Sequence, residues 1–231
     1  MPLTPHVEKH FLATDKVRDV VIGMADGLTV PFALAAGLSG ITASSRLVVT
    51  AGLAEIVAGA IAMGLGGYLA ARTDYEHYQA ERSREFGETV NLPQEEAREV
   101  AQVFRGFGLP EEQLAPIVAT ISSDRTRWVE FMMRFELGLE RPDPDRARWS
   151  AARIAGAYVA GGLVPLLPYM LAESVPAALA ISVAVTIAAL FVFGYVKGRL
   201  TGMRPLLGGV RTVLLGGLAS AAAFAIARAV A

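Results

Sequence analysis

Two carboxylates lie alone inside long apolar stretches of the chain. Asp26 is the only residue within residues 20–45 that is charged near neutral pH, and Glu55 is the only such residue within residues 47–71. A charged side chain at the centre of a membrane helix costs roughly 2.5–3.5 kcal/mol on insertion scales, so such residues usually serve a cation or proton pathway. The two carboxylates therefore predict a membrane transporter.

A second set of side chains has the types and spacing of a metal site. Its first four carboxylates come in pairs three residues apart, which places both members of a pair on one face of a helix. Two adjacent methionines precede the last carboxylate of the set by four and three residues. Thioether and carboxylate donors together suit a divalent transition ion better than Mg²⁺ or Ca²⁺. The set comprises Glu85, Glu88, Glu96, Glu99, Met132, Met133 and Glu136.

Each part of this set also has a plainer interpretation. Glutamate pairs on exposed helices are usually solvated surface, and Arg82, Arg84 and Arg98 are near enough in sequence to pair with them. Adjacent methionines readily fill gaps in an apolar core. Four like charges on two short helices nevertheless repel one another unless a cation compensates them, and this favours a metal site.

Five apolar segments are long enough to cross a hydrocarbon core, which needs about 20 helical residues. They are residues 20–45, 47–71, 154–172, 174–196 and 212–227, and residues 205–210 can extend the last of them. The sequence predicts an all-α polytopic membrane protein with five transmembrane helices. Cysteine is absent, which excludes disulfides and thiolate metal sites.

Between the second and third segments lies a stretch of different composition. Residues 72–149 contain 16 of the 22 acidic residues but only 11 of the 21 basic ones. Proline, glycine and Asp124 as a helix cap predict helices over residues 75–90, 94–106, 111–122 and 124–139, the first continuing the second transmembrane helix. We therefore divide the chain into residues 1–72 with helices 1 and 2, a helical metal-binding insert at residues 73–147, and residues 148–231 with helices 3 to 5.

Basic residues near the ends of the apolar segments indicate the orientation. Cytoplasmic loops are enriched in Lys and Arg, so the N-terminus and the insert are expected in the cytoplasm. We expect a bacterial inner membrane, with an organellar membrane as the alternative. The basic residues of the predicted cytoplasmic face are Lys9, Lys16, Arg18, Arg72, Arg148, Arg153, Lys197, Arg199 and Arg204, against Arg46 and Arg228 on the other face.

Several segments together resemble the vacuolar iron transporter family of iron and manganese transporters. The similar segments are residues 18–32 in the first apolar segment, residues 51–55, 62–64 and 68–70 in the second, and residues 128–139 in the insert. The last contains the family element Met-Met-x-x-Glu-Leu-Gly-Leu. The spacing of three, eight and three residues between the first four glutamates of the metal set also matches, so the resemblance covers nearly the whole chain.

This resemblance implies a homodimer with five membrane helices in each chain and proton-coupled export of Fe²⁺ from the cytoplasm. A pore between the two first helices would be lined by Asp26, Glu55 and Met63, with Asp19 as a possible entrance. The seven residues of the metal set would capture the ion on the cytoplasmic side. The ion is then a transported substrate, Fe²⁺ or alternatively Mn²⁺ or Zn²⁺, and no prosthetic group, enzyme activity or nucleic-acid partner is expected.

Two other classes of function stay open as alternatives. A membrane-anchored di-iron oxidase would also use glutamate pairs, but its ferritin-like site requires the spacing Glu-x-x-His, which this chain lacks. A membrane-anchored metal sensor or buffer would explain the insert but not Asp26 and Glu55. The sequence leaves open Fe²⁺ against Mn²⁺, the number of metals, the proton stoichiometry, and whether Glu95 or Glu96 is the ligand.

Overall fold

The fold is helical throughout the part of the chain that the structure describes. The computed structural model describes residues 15–202 and 204–230, without the side chains of residues 228 and 230. Lys9 and the side chain of Arg228, both used for the expected orientation, lie outside this description. Because no strand occurs among the described residues, the predicted all-α class is confirmed. The helices are α1 (Asp15–Ser39), α2 (Ser45–Asn91), α3 (Pro93–Gly106), α4 (Glu111–Ser122), α5 (Arg125–Phe131) followed by a π-helical turn (Met132–Glu136), α6 (Arg146–Leu171), α7 (Val175–Leu200) and α8 (Pro205–Val230).

Five of these helices are long and apolar enough to cross a membrane, namely α1, α2, α6, α7 and α8. The predicted number of transmembrane helices is confirmed, and the chain is an integral membrane protein. α8 begins at Pro205, so it includes the extension expected over residues 205–210. α2 is a single helix of 47 residues. At 1.5 Å per residue it is about 70 Å long, which is far more than one membrane crossing requires.

The chain divides into two compact units. The described parts of Met1–Tyr68 and Arg148–Ala231 form the first, which we call the membrane unit, and Leu69–Ala147 forms the second, which we call the insert unit. The insert unit therefore begins at Leu69, where the sequence suggested residue 73. α2 contributes its first half to the membrane unit and its second half to the insert unit.

Within the membrane unit, α1 and α6 approach each other closely through small residues. A Cβ atom at Gly23 would collide with the backbone at Ile154, and one at Gly27 would collide with the backbone at Tyr158. Because such glycines let two helix backbones come together, the Gly-x-x-x-Gly step of α1 serves packing against α6. Asp26 lies next to Gly27 and is half-buried.

In the insert unit, the helix ends match signals in the sequence. α3 begins at Pro93, a favoured first helical residue. Asp124 caps α5 by accepting a hydrogen bond from the Arg127 N–H at 2.7 Å. Gly108 and Gly138 have φ angles of 85° and 66°, a region that glycine adopts without steric cost. These residues determine where the short helices of the insert unit begin and end, and those helices in turn position the glutamates.

The last insert helix differs from the expected α-helix over residues 124–139. α5 ends at Phe131, and a π-helical turn follows in which the Leu137 N–H donates to the Met132 carbonyl at 3.1 Å. Gly138 then turns the chain, and the Leu139 N–H donates to the Met133 carbonyl at 2.7 Å. The expected helix was therefore too long and too regular, because the positive φ of Gly138 stops it and the turn before it is widened.

Candidate metal centre and transport path

Three glutamates of the insert unit converge, and we call Glu85, Glu88 and Glu96 the carboxylate centre. Each offers one carboxylate oxygen, and these oxygens lie within 4.8 Å of one another. Glu85 and Glu88 are one turn apart on α2, and the break in the helix at Leu92 allows α3 to return Glu96 to them. The structure therefore brings together three of the seven residues that the sequence suggested for metal binding.

Two carboxylates of the centre are almost completely buried. The exposed fractions of Glu85 and Glu96 are 2% and 3%, and the Oε2 atom of each has no hydrogen-bond partner among the described residues. A buried carboxylate oxygen without a partner has lost its hydration and gained nothing in return, which is costly. A bound cation or a proton would remove this cost, and oxygen donors of this kind suit a divalent metal ion.

The electrostatics of the centre favour a cation. Burial and the charges of Glu85 and Glu99 raise the pKa of Glu96 to about 8. Glu136 is exposed as a whole residue, yet burial of its carboxyl group and the charges of Glu99 and Glu85 raise its pKa to about 7. These carboxyl groups therefore keep protons near neutral pH that a metal ion would displace.

Three further glutamates near the centre in sequence or in space separate into two groups. Glu99 and Glu136 line one pocket together with Phe135, so they lie beside each other at the edge of the centre. Glu95, in contrast, is exposed and forms an ion pair with Arg98. The structure thus places Glu96 in the carboxylate centre and Glu95 outside it.

The two methionines are buried in different apolar clusters. Met132 packs with Val100 and Trp128, whereas Met133 packs with Tyr78, and both methionines are at most 1% exposed. Val100 lies one turn beyond Glu96 on α3, so the Met132 cluster holds the helix that carries this glutamate. Packing alone explains the burial of both methionines, and sulfur coordination of a metal stays a prediction.

Arg125 holds α5 against the turn of α2 that carries the glutamate pair, a role that the sequence did not suggest. Its guanidinium donates to the Phe86 carbonyl and to Thr89 Oγ1, the latter at 3.1 Å, and lies 5.3 Å from the centre of the Phe86 ring. Phe86 and Thr89 immediately follow Glu85 and Glu88. The partners are 36 and 39 residues away in sequence, so no local pattern could reveal the contact.

In the membrane unit, Tyr158 of α6 orients Glu55 of α2. The Tyr158 hydroxyl donates to Glu55 Oε1 at 2.5 Å, while Glu55 Oε2 is buried and has no hydrogen-bond partner among the described residues. A Cβ at Gly59 would collide with the Tyr158 ring, so this glycine admits the ring beside Glu55. Tyr158 is 103 residues from Glu55 and was missed in the sequence.

Met63 lies on the same side of α2 as Glu55. Positions 55, 59, 63 and 67 are four residues apart and share one helix face. This face packs against α6, because Gly59 lies against Tyr158 and Gly67 against Ile154. α6 therefore supplies part of the surroundings of the predicted transport path, which the sequence had ascribed to α1 and α2.

Asp19 is engaged in a buried ion pair. Ser150 Oγ donates to Asp19 Oδ1 at 3.0 Å, and Arg153 Nη1 donates to Asp19 Oδ2 at 3.2 Å. Both oxygens thus have partners from α6, and the pair fastens α1 to α6. A structural role accounts for this geometry, whereas the possible role of Asp19 as an entrance stays a prediction.

Known proteins similar to this chain match over most of its length. A family model described as VIT family matches residues 17–228. Vacuolar iron transporter 2 of Oryza sativa subsp. japonica is 58% identical over 228 residues, which are 99% of this chain and 93% of the relative. Vacuolar iron transporter 1 of Arabidopsis thaliana is 54% identical, with coverage of 99% and 91%. Protein CCC1 of Saccharomyces cerevisiae is 38% identical, with coverage of 90% and 67%.

Proposed function

Because the chain belongs to the VIT family, we propose that it transports iron across the membrane that it spans. The chain is a membrane transporter of this family and not an enzyme. The observation that carries the iron proposal is the carboxylate centre, in which three glutamate oxygens lie within 4.8 Å of one another. Such a centre compensates a divalent cation better than a monovalent one, since it concentrates several negative charges.

The finer proposal is proton-coupled export of Fe²⁺ from the cytoplasm by a homodimer. The insert unit would capture the ion, and Asp26, Glu55 and Met63 would form the path through the membrane. A carboxylate within a membrane helix needs a cation or a proton to compensate its charge, so the passage of one favours the return of the other. This exchange supports coupling to protons, and Mn²⁺ is the second candidate substrate.

The host membrane and the orientation stay predictions. The three relatives described above come from two plants and a yeast, and the two plant proteins are named vacuolar. They give no support to the expected bacterial inner membrane, so an organellar membrane is the better proposal. An insert on the cytoplasmic side would then load the ion on the face from which it is exported.

Purified protein in liposomes provides the test. We expect uptake of Fe²⁺ that accelerates when a pH gradient is imposed with the acidic side inside. Asp26→Asn keeps the size of the side chain but removes its charge, so it should abolish uptake while metal binding by the insert persists. Normal uptake by this variant would refute the path, and uptake indifferent to the pH gradient would refute proton coupling.

The oxidase alternative has a separate test. Aerobic addition of Fe²⁺ to the purified protein should give no protein-dependent oxygen consumption if the chain only transports the ion. Stoichiometric oxygen consumption that disappears in Glu96→Gln would favour an anchored di-iron oxidase. Metal binding without any flux through liposomes would favour the sensor or buffer.

A further inference from the structure

A positively charged side chain already contacts the carboxylate centre. Arg84 Nη2 lies 3.4 Å from Oε1 of Glu85, a residue of the centre, and 2.7 Å from Oε2 of Glu81, which is outside it. The guanidinium is 52% exposed, whereas the Glu85 side chain is only 3% exposed. One half-exposed cation is therefore shared between a buried glutamate of the centre and a more accessible glutamate one turn earlier on α2.

The guanidinium competes with a metal ion for the same negative charge. Arginine cannot lose its proton in a protein, so its charge persists at every working pH. A divalent ion bound to Glu85 would repel the guanidinium a few ångströms away. Because Arg84 is half exposed, it can move away from Glu85 without being buried elsewhere, and Glu81 offers it a partner at 2.7 Å.

We propose that Arg84 sets the metal affinity of the carboxylate centre as a resident competing cation, which an arriving divalent ion moves away from Glu85 while Glu81 continues to hold it. The inference rests on the proposed function, because it presumes that the centre captures the transported ion. Arg84 lowers the affinity, and Glu81 raises it by holding the displaced guanidinium. A capture site must also release its ion, and the return of Arg84 to Glu85 assists that release.

The two residues should have opposite effects on metal binding. In the purified full-length protein, free Mn²⁺ can be measured by its electron paramagnetic resonance signal during a titration. Arg84→Gln should tighten Mn²⁺ binding by roughly two- to fivefold, because it removes the competitor. Glu81→Gln should weaken binding by a similar factor, because the displaced Arg84 loses its partner.

Arg82 provides a matched control on the same helix. Its guanidinium lies over the Phe86 ring at 4.9 Å, so Arg82→Gln removes the same charge from the same turn of α2 without removing a contact of Glu85. We expect this variant to change the affinity by less than about twofold. An equal effect of Arg82→Gln and Arg84→Gln would overturn the proposal, since the electrostatic effect of any nearby positive charge on the metal affinity would then explain both.

The double variant separates displacement from simple charge effects. If Glu81 acts by holding Arg84, then Glu81→Gln should have no further effect in the Arg84→Gln background, whereas independent charge effects would add. Additive changes would overturn the proposal. If the wild type binds Mn²⁺, Glu96→Gln abolishes this binding and Arg84→Gln leaves it unchanged, the role of Arg84 is refuted. The capture function of the carboxylate centre would then still stand. Absence of Mn²⁺ binding by the wild type would refute the capture function and this inference with it.

Discussion

Proton release on metal binding tests the carboxylate centre most directly. With a pKa of about 8, Glu96 carries about 0.9 of a proton at pH 7, and Glu136 with a pKa of about 7 carries about 0.5. A metal ion that binds to both must displace these protons. We therefore expect net proton release on metal binding at pH 7 that grows toward pH 6 and becomes small at pH 8.5, and Glu85, whose pKa is also raised by burial, adds to it.

Glu96→Gln is the perturbation that isolates the largest contribution. Glutamine keeps the shape of the side chain but binds no proton, so proton release at pH 7 should fall by about 0.9 per ion. The loss of one charged ligand should also weaken metal binding by at least about tenfold, or roughly 1.4 kcal/mol. The adjacent Glu95→Gln is the control, because Glu95 is exposed, pairs with Arg98 and lies outside the centre.

The raised pKa of Glu96 also gives stability a definite pH dependence. A carboxyl group whose pKa is higher in the folded protein contributes stability that is complete below its ordinary value of 4.5 and is lost as the pH rises to about 8. The metal-free protein should thus become less stable between these pH values. Glu96→Gln should remove this part of the decline, and a metal ion should stabilise the wild type most at the alkaline end.

Isothermal titration calorimetry with Mn²⁺ in buffers of different ionisation enthalpy measures the number of protons released. The reasoning fails if the wild type releases the same number of protons at pH 6 and pH 8.5. It also fails if proton release and affinity in Glu96→Gln equal those of Glu95→Gln.

Three further substitutions test the other parts of the site. Tyr158→Phe keeps the ring against Gly59 but removes the 2.5 Å hydrogen bond to Glu55, so transport in liposomes should fall several-fold. The free energy of unfolding should fall by about 1–3 kcal/mol, because Glu55 Oε1 loses its partner. Asp19→Asn breaks a buried ion pair and should lower the free energy of unfolding, by about 3 kcal/mol at most because Arg153 is partly exposed. The dependence of transport on the Fe²⁺ concentration should stay normal in the fraction of the protein that folds. Replacing Met132 and Met133 together by Leu keeps the apolar volume but removes both sulfur atoms. A lower preference for Fe²⁺ over Mg²⁺ in competition titrations would show sulfur coordination. An unchanged preference would mean that both residues serve only as apolar core.

The helices could be predicted because their signals are local. An apolar segment long enough to span a membrane identifies a transmembrane helix from composition alone. The helix ends at Pro93 and Asp124 follow from the backbone geometry of proline and from a side-chain cap. The spacing of Glu85 and Glu88 likewise places them on one face of α2. Each of these inferences requires only the residues of a single helix and its ends.

The contacts that assemble the sites required tertiary structure. Tyr158 and Glu55 are 103 residues apart, and Ser150 and Asp19 are 131 residues apart. Their pairing depends on how α6 packs against α1 and α2, which the pattern of each helix does not specify. The π-helical turn was missed for a different reason, because residues 132–136 have ordinary helix-forming side chains and their sequence carries no local signal of a widened turn.

Glu55 and Glu85 share an arrangement that suits carboxylates with an exchanging cation. Each has Oε1 held by a neighbouring donor, Tyr158 or Arg84, and each has a buried Oε2 without a hydrogen-bond partner among the described residues. One held oxygen orients the carboxylate, and the other keeps a lone pair free for a metal ion or a proton. The donors differ as their surroundings require. A neutral hydroxyl avoids the cost of a buried charge within the membrane, whereas a half-exposed guanidinium can be tolerated in the insert and can compete with the ion there.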